Sequence, residues 1–513
     1  MNIEKYILKI ALFISAFFLI SDFSAQNDFL KLLPGSKKAN YYEEVDLLKL
    51  EGNVNFEYQG NVMYCDSAYY FEKRKIVKAY GKVHIIKEKI NMFCDSAIFN
   101  GKTERAKLWG NVRIRDLDYR LTTDSIEYIS PIGRAIYTNY GVIEKNGSNE
   151  RIVSKIGYFY PDIKNYHFRD SVVYTNDGIR MTTDTLAYEY TNQKTIFNGS
   201  TRIVKDSTIM TCFFGWYNTN ENIGYLHGDA SYEDSNMVLY ADTIKYNENK
   251  EELIAKLNVH LINSENNYTL NSNYLYASDS LNLTYITDCA VASLIQEKDT
   301  IFIHADSLFV RKDSTGKQKD MKAYTGVEIF NKDIQSVCDS LTFSEASNLL
   351  KLYKDPIVWS ENSELKGDSI VMKLKDSLIE QVNIYNNSSV IMEIDSGSLY
   401  NQISGKNIIA YLKEGKLERT DVNGSALSIY YPEDEEKTDT LTTIKRMGLN
   451  RLESSKLTVY LDSGEVTGIT YITEPIGVFY PMDQIKESDR WIKKFKWNPI
   501  LRPKDEFSLG EEN

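Results

Sequence analysis

A short motif recurs along most of the chain and constrains its fold more than any other feature. It consists of a small residue, Asp, Ser or Thr, an aliphatic residue, any residue and an aromatic or large apolar one, as in Cys65 to Tyr70. The motif aspartates are Asp66, Asp95, Asp124, Asp184, Asp242, Asp306, Asp339 and Asp368. They lie 29, 29, 60, 58, 64, 33 and 29 residues apart. The period is therefore about 29 residues, and each of the three long intervals hides a degenerate copy.

The hidden copies lie around Lys155, Phe213 and Asn273, and weaker copies follow near Lys406 and Ser455. A second motif runs in phase with the first. It begins with Gly and ends with Val or a small residue, usually with one residue such as Asn or Lys between them. Its glycines are Gly52, Gly81, Gly110, Gly141, Gly199, Gly228 and Gly326. Together the two motifs define about thirteen units.

Within a unit, apolar and polar residues alternate, as in Val112 and Ile114 against Arg113 and Arg115. Alternation with a period of two, interrupted by Gly, Asn and Asp, predicts two β-strands per unit. The composition agrees, with 37 Tyr and 21 Phe but only 9 Pro. A unit of this size cannot bury its apolar face alone, so neighbouring units must stack on one core. We therefore predict an all-β, elongated repeat protein.

The chain also divides into segments. Residues 1–25 have a charged start, an apolar run and a small residue at the end, which predicts a secretory signal peptide cleaved after Ala25. We assign 26–45 to a lead-in, 46–472 to the repeat body, 431–450 to an acidic loop insertion and 473–513 to a C-terminal tail. The tail either caps the open edge of the last repeat or docks a partner.

Charge and motifs limit the chemistry. A net charge of −12 argues against nucleic acid or an anionic membrane surface as a partner. No nucleophile elbow, phosphate-binding loop or zinc motif is found, and the five His residues are far apart. We expect no enzyme activity, no metal and no cofactor.

Two motif positions leave alternatives open. The repeated Asp either accepts hydrogen bonds at a bend, which we favour, or binds calcium. A lysine in the same slot, as at Lys155 and Lys406, suits the structural role better. Cys65, Cys94 and Cys338 share one slot and are read as small buried residues, with a bridge from Cys65 to Cys94 as the alternative.

The in-phase copies resemble the OstA-like family, the periplasmic lipopolysaccharide-transport proteins related to LptA and to the N-terminal domain of LptD. The resemblance covers roughly residues 46–472 and is strongest to the long members from Bacteroidota-type Gram-negative bacteria. It implies a β-jellyroll of antiparallel sheets that meet in a half-open V and shield acyl chains. It also implies end-strand pairing with other transport components at the inner and outer membranes.

On this resemblance we predict a periplasmic conduit that binds lipopolysaccharide acyl chains and passes them toward the outer membrane. The rival hypotheses are a structural or adhesive β-solenoid with a sealed core and a carbohydrate-active enzyme. The groove candidates are small or aliphatic residues with an aromatic border, namely Val54, Val83, Val112, Val142, Ala68, Ala97, Ile126, Leu186, Ile244, Tyr70, Phe99 and Tyr128.

Overall fold

The recurring glycine motif forms a bulge in the middle of a strand. In the computed structural model, Gly110 and Asn111 both have left-handed backbones, with φ of 78° and 50°. Glycine adopts this region without steric cost, and Asn enters it more readily than most residues. The two residues have no partner in register on the next strand, because the pairing jumps from Trp109 to Val112. Each such bulge bends its strand and divides it into two arms.

The structure describes residues 31–510 apart from 59–60, 88, 116, 118, 161–164, 177, 190–193, 219, 297–298, 314–317, 376–377, 396, 414–415, 439–440 and 463–464. The chain forms two units, residues 1–251 and 252–513. Unit 1 contains the strands β1 (Lys31–Leu33), β2 (Lys38–Tyr42), β3 (Leu47–Tyr58), β4 (Asn61–Phe71), β5 (Ile76–Lys87), β6 (Ile90–Asn100), β7 (Arg105–Arg115), β8 (Tyr119–Ile129), β9 (Arg134–Tyr137), β10 (Gly141–Lys145), β11 (Arg151–Ser154), β12 (Ile156–Tyr160), β13 (Asn165–Asn176), β14 (Ile179–Glu189), β15 (Lys194–Lys205), β16 (Thr208–Asn218), β17 (Ile223–Glu233) and β18 (Met237–Asn247).

Unit 2 contains the strands β19 (Glu252–Asn263), β20 (Tyr268–Ser278), β21 (Leu283–Ile295), β22 (Thr300–Lys312), β23 (Gln318–Phe330), β24 (Ile334–Ser344), β25 (Leu349–Tyr353), β26 (Ile357–Ser360), β27 (Ser363–Lys366), β28 (Ser369–Lys375), β29 (Leu378–Asp395), β30 (Leu399–Lys413), β31 (Lys416–Tyr430), β32 (Glu433–Thr438), β33 (Leu441–Arg446), β34 (Gly448–Asp462), β35 (Glu465–Ile472) and β36 (Ile476–Pro481). Short 3₁₀ helices span Glu43–Val45 and Ser130–Ile132 in unit 1, and Met482–Gln484, Glu487–Asp489 and Pro499–Leu501 in unit 2.

The strands follow one another as an antiparallel meander within each unit. In unit 1, β4 pairs with β3 and β5, and β7 pairs with β6 and β8. Some strands are fully broken at the bend: β9 and β10 both pair with β8, and β11 and β12 both pair with β13. In unit 2, β25 and β26 likewise share β24, and β27 and β28 share β29. A broken pair therefore takes the place of one bent strand.

Asparagine side chains close several of the connecting turns. After β6, the Oδ1 atom of Asn100 accepts hydrogen bonds from the backbone N–H groups of Lys102 and Thr103, at 3.0 and 3.2 Å. After β16, Asn218 accepts one from Glu221 N–H in the same way, at 3.2 Å. These bonds satisfy backbone donors that no strand partner reaches.

Both arms of a bent strand bury side chains. In β3, Leu50 before the bulge and Val54 after it are both 0% exposed. The face of a single sheet layer is open to solvent, so such burial requires a second layer. We infer that the two arms pack against each other across the core. The prediction of an all-β jellyroll of repeated antiparallel strands is confirmed.

The predicted segments differ in detail from the structure. The predicted signal peptide, residues 1–25, lies outside the described residues. Within the lead-in, β1 and β2 already pair with β3, so the sheet begins before residue 46. The acidic insertion contains a hairpin of β32 and β33 rather than only a loop. In the tail, β36 pairs with β34 beyond the predicted end of the body at residue 472.

Candidate functional site

The inward residues after the bulges form a row across unit 1. Val54, Val83 and Val112 are 0%, 1% and 0% exposed and pair in register with Cys65, Cys94 and Thr123 of the following strands. The remaining small and aliphatic candidates lie on the other arm and are also buried, namely Ala68, Ala97, Ile126, Leu186 and Ile244. The candidates on the two arms thus contribute to one apolar interior.

The aromatic candidates lie one step farther from the bend. The register joins Tyr70 to Val77, Val77 to Phe99 and, through Ala106, Phe99 to Tyr128. All three rings are half-buried, whereas Ala68, Ala97 and Ile126, two residues before them, are buried. The aromatic row therefore borders the core.

Val142 is wrong as a member of the buried row. The register places Gly141, not Val142, opposite Thr123, and Val142 is only half-buried. The bulge slot 29 residues after Gly110 is position 139, so Gly141 falls in the slot that Val112 occupies one repeat earlier. A Cβ atom at Gly141 would lie 2.4 Å from the Tyr137 ring. The buried Tyr137 ring fills the space of the missing valine, and its hydroxyl forms a 2.6 Å hydrogen bond with Ser154 Oγ.

Unit 2 contains core-facing residues that the sequence motif did not reveal. Leu365, Val390, Ile403 and Leu452 form an inner row on the second arm, two residues farther from the bend than the slot next to the bulge. The register joins them through β27, β29, β30 and β34, with the buried Ser428 of β31 between Ile403 and Leu452. These four side chains are half-buried. On the first arm of these strands, or of their broken partners, the inner residues are at most 1% exposed. They are Leu352, Ile370, Ile384, Ile408, Val422 and Leu457. The inner face here is mostly apolar, and its aliphatic residues are incompletely covered on one arm.

The repeated aspartates lie at the bend. Each of Asp66, Asp95 and Asp184 faces a bulge glycine on the following strand, and a Cβ atom on that glycine would come within 2.5 Å of the carboxylate. The carboxylates accept hydrogen bonds from side chains near the facing bulge: Asp95 from Asn111, Asp124 from Asn139, Asp339 from Lys354 and Asp368 from Asn387, at 2.7 to 3.0 Å. Asp242, Asp306 and the others named are exposed or half-buried.

The degenerate copies keep this geometry. Phe213 and Lys406 stand where an Asp is expected, and their Cβ atoms lie 3.0 and 2.9 Å from where a Cβ of Gly228 or Gly424 would be. The bulge thus tolerates an apolar or basic neighbour. The motif therefore pairs a bulge glycine with whichever side chain packs closely against it.

The slot before the Asp, or before the residue that replaces it, holds a small residue. In six copies this residue is buried and its side chain donates to a carbonyl two residues later. Thr123, Ser154, Thr183, Ser272, Cys338 and Ser454 all do so. All five cysteines are free, and Cys65 and Cys94 are buried without a bridge between them. Burial raises the pKa of the Cys65 thiol to about 11 and that of Cys94 to about 12.

The residues after β36 run back over unit 2, and we call residues 485–510 the C-terminal strap. Asn498 donates from its backbone N–H and its side chain to the two carboxylate oxygens of Glu364, at 2.9 and 3.0 Å. Gln402 accepts from Ile492 N–H at 3.0 Å, and Arg502 donates to Gln335 at 2.7 Å. The strap also places Trp491, Phe495 and Trp497 around Tyr400, with ring centres 5.4 to 6.0 Å away.

Two further observations concern the described residues only. They contain no group of three or more His, Cys, Asp or Glu side chains placed to hold a metal ion. None of their helices combines the length and the apolar character needed to cross a membrane.

Bent antiparallel strands, in-phase bulges and an apolar interior in each unit define an all-β repeat protein. Residues 35–184 match the family described as OstA-like protein, and this part of the chain belongs to that family. Among solved structures, the chain is similar to LptH of Pseudomonas aeruginosa, described as the LptA-homologous periplasmic component of the lipopolysaccharide transport device. The match is 14% identical, covers 29% of this chain and 95% of LptH, and has a TM-score of 0.22, which decides nothing about function. No curated protein matches the chain.

Proposed function

We propose that the protein is a periplasmic, non-enzymatic carrier whose inner face binds the acyl chains of lipopolysaccharide and passes them toward the outer membrane. The observation that carries this proposal is the half-buried apolar row of Leu365, Val390, Ile403 and Leu452 in unit 2. Aliphatic side chains that face the core of a soluble protein are normally covered. Aliphatic side chains that stay partly uncovered on four of five neighbouring strands are suited to a ligand with a long apolar surface.

The size of the surface suits an acyl chain. Neighbouring strands lie about 4.8 Å apart. Four of the five strands that carry the row present an aliphatic group, and β31 presents Ser428 between Ile403 and Leu452. Each methylene that leaves water contributes about 0.8 kcal/mol. A chain of a dozen methylenes along this row would therefore bind without any specific polar contact, and the protein could release it by shifting it from one strand to the next.

The match of residues 35–184 to the OstA-like family supports the same proposal, and these residues contain the bulges at Gly52, Gly81 and Gly110. Transfer along the inner face needs neither a catalytic residue nor a cofactor. The partners would be lipopolysaccharide and the transport components at the two membranes, joined through the end strands.

A sealed structural scaffold is the second candidate, and the burial in unit 1 favours it. There the row at the same distance from the bend is largely buried: Phe56, Met92, Ile114 and Leu121 are at most 4% exposed, so side chains fill much of the core. If unit 2 closed in the same way, no acyl chain would enter. The two functions thus differ in whether the half-buried row of unit 2 is occupied by lipid.

The test compares two substitutions on β34. Leu452 lies on the inner face and is half-buried, whereas Tyr460 is 45% exposed. Each is replaced by Asp in the full chain, and the lipid that copurifies from the periplasm is extracted and quantified by mass spectrometry. The carrier function predicts that lipopolysaccharide copurifies with the wild type and with Tyr460→Asp but is reduced at least tenfold with Leu452→Asp. Equal or absent lipid in all three folded proteins would support the scaffold.

A further inference from the structure

The C-terminal strap carries a charge opposite to that of the chain as a whole. The chain has a net charge of −12. The stretch 490–504 has no acidic residue and six basic ones, Arg490, Lys493, Lys494, Lys496, Arg502 and Lys504. Acidic residues resume only at its borders, with Glu487 and Asp489 before it and Asp505 and Glu506 after it. The net negative charge of the whole chain argues against an anionic surface as a partner, but residues 490–504 are locally positive and could bind one.

The strap holds its basic side chains away from the sheet. Ile492, Asn498 and Pro503 are buried against unit 2, whereas Lys493, Lys496 and Lys504 are exposed. The buried members alternate with the exposed ones, so one side of the strap contacts the sheet and the other faces solvent. Lys494 is also exposed, although its ammonium group donates to Asn387 Oδ1 at 3.2 Å. Arg502 is held against Gln335 and belongs to the inner side.

Apolar side chains lie on the solvent side as well. Ile500 is 77% exposed and Leu501 is 42% exposed, in a short 3₁₀ turn between the lysine cluster and Lys504. A bare aliphatic side chain this exposed has no role in the core of unit 2. Lysines beside exposed aliphatic residues are the combination that binds the surface of an anionic bilayer, where the ammonium groups meet the headgroups and the apolar side chain enters the interface.

The strap is a fixed platform rather than a loose end. Glu364 is 0% exposed and accepts from Asn498 and from Trp359 Nε1, and Arg451 donates to the carbonyl groups of Asp489 and Trp491. These anchors fix the backbone of the strap, and so the positions from which its lysines extend, before any partner binds. A preformed platform loses less conformational entropy on binding than a disordered tail would.

We propose that the solvent side of the C-terminal strap docks unit 2 onto the surface of an anionic phospholipid bilayer, through Lys493, Lys496, Lys504 and Ile500. The docking would hold this part of the chain at a membrane. It does not depend on lipid binding by the inner face, and either property can hold without the other.

The test measures partition of the full chain onto vesicles of phosphatidylcholine with 30% phosphatidylglycerol, and onto vesicles of pure phosphatidylcholine, by cosedimentation. The strap variant carries Lys493→Gln, Lys496→Gln and Lys504→Gln. The matched control carries Lys322→Gln, Lys416→Gln and Lys456→Gln, which removes the same charge from exposed positions on the strands of unit 2. Any contribution of residues 1–25 to binding is the same in both variants and cancels in the comparison.

A lysine near an anionic surface changes the partition coefficient by about fivefold, so the strap variant should bind anionic vesicles about 100-fold more weakly than the wild type. The control variant should bind anionic vesicles less than about fivefold more weakly than the wild type, and high salt should weaken the binding of the wild type to these vesicles. Ile500→Ser should weaken binding by about fivefold with no change of charge. Equal partition of the two triple variants, equal binding of the wild type to both kinds of vesicle, or no binding by the wild type would each overturn the proposal.

Discussion

The close packing of a bulge glycine against an aspartate predicts how much stability is lost when a methyl group is added to that glycine. Gly110 has a φ of 78°, and an added Cβ atom would lie 2.5 Å from Asp95 Oδ2 and 2.8 Å from Asp95 Cβ. Left-handed backbone costs a non-glycine residue about 1–2 kcal/mol. The contact with the Asp95 Cβ cannot be relieved by rotating the side chain, so overpacking adds about 1–3 kcal/mol. Gly110→Ala should therefore lower the free energy of unfolding by about 2–5 kcal/mol.

The matched control is Gly147→Ala, also in unit 1. Gly147 has a φ of 76°, and nothing lies within 4 Å of an added Cβ atom. Gly147→Ala should lower the free energy of unfolding only by the backbone strain of about 1–2 kcal/mol. Urea unfolding followed by circular dichroism measures both variants, and Asp95→Gly in the Gly110→Ala background should recover the steric part of the loss. Equal losses for the two glycine variants, or no recovery in the double variant, would refute the account of the bulge.

Two further predictions concern buried groups. Because burial raises the pKa values of Cys65 and Cys94, little thiolate forms at these two residues near pH 8. A thiol reagent should therefore label the exposed Cys289 at least tenfold faster than it labels Cys65 or Cys94, as followed by mass spectrometry. Comparable labelling rates would mean that Cys65 and Cys94 are not buried. Glu364→Ala leaves the backbone N–H of Asn498 buried without an acceptor and should lower the free energy of unfolding of unit 2 by about 3 kcal/mol. It should also expose the strap to proteolysis, and a strap that stays protected would contradict its anchoring at Glu364.

The sequence predicts the repeat because the motif has a local physical cause. A bulge needs left-handed backbone, which favours Gly followed by Asn, and the close approach of Asp95 to Gly110 explains why the two motifs run in phase. Strand alternation then identifies the buried residues, such as Val83 and Ile126. These features depend on residues near one another in sequence or one period apart, so they can be read without coordinates.

Other features depend on contacts that no local pattern encodes. Val142 was misplaced because the bulge near position 139 has no glycine in its usual slot, and the glycine at 141 instead makes room for the Tyr137 ring. The strap reaches Glu364 from Asn498, 134 residues later in the chain. Three members of the half-buried row of unit 2, Val390, Ile403 and Leu452, lie beyond the last clear motif copy at Asp368, where the repeat motif is weak, and were missed for that reason.

The most direct test of the central claim is photo-crosslinking of lipopolysaccharide in cells. Probes replace Val390 and Ile403 on the half-buried inner row and Val83 in the buried row of unit 1, with the exposed residues Arg113 and Tyr460 as controls. A carrier predicts lipopolysaccharide crosslinks at Val390 and Ile403 and none at the two controls. Crosslinks at Val83 as well would extend the lipid path into unit 1. No crosslink at any inner position of the folded, exported protein would contradict the carrier function and leave the sealed scaffold.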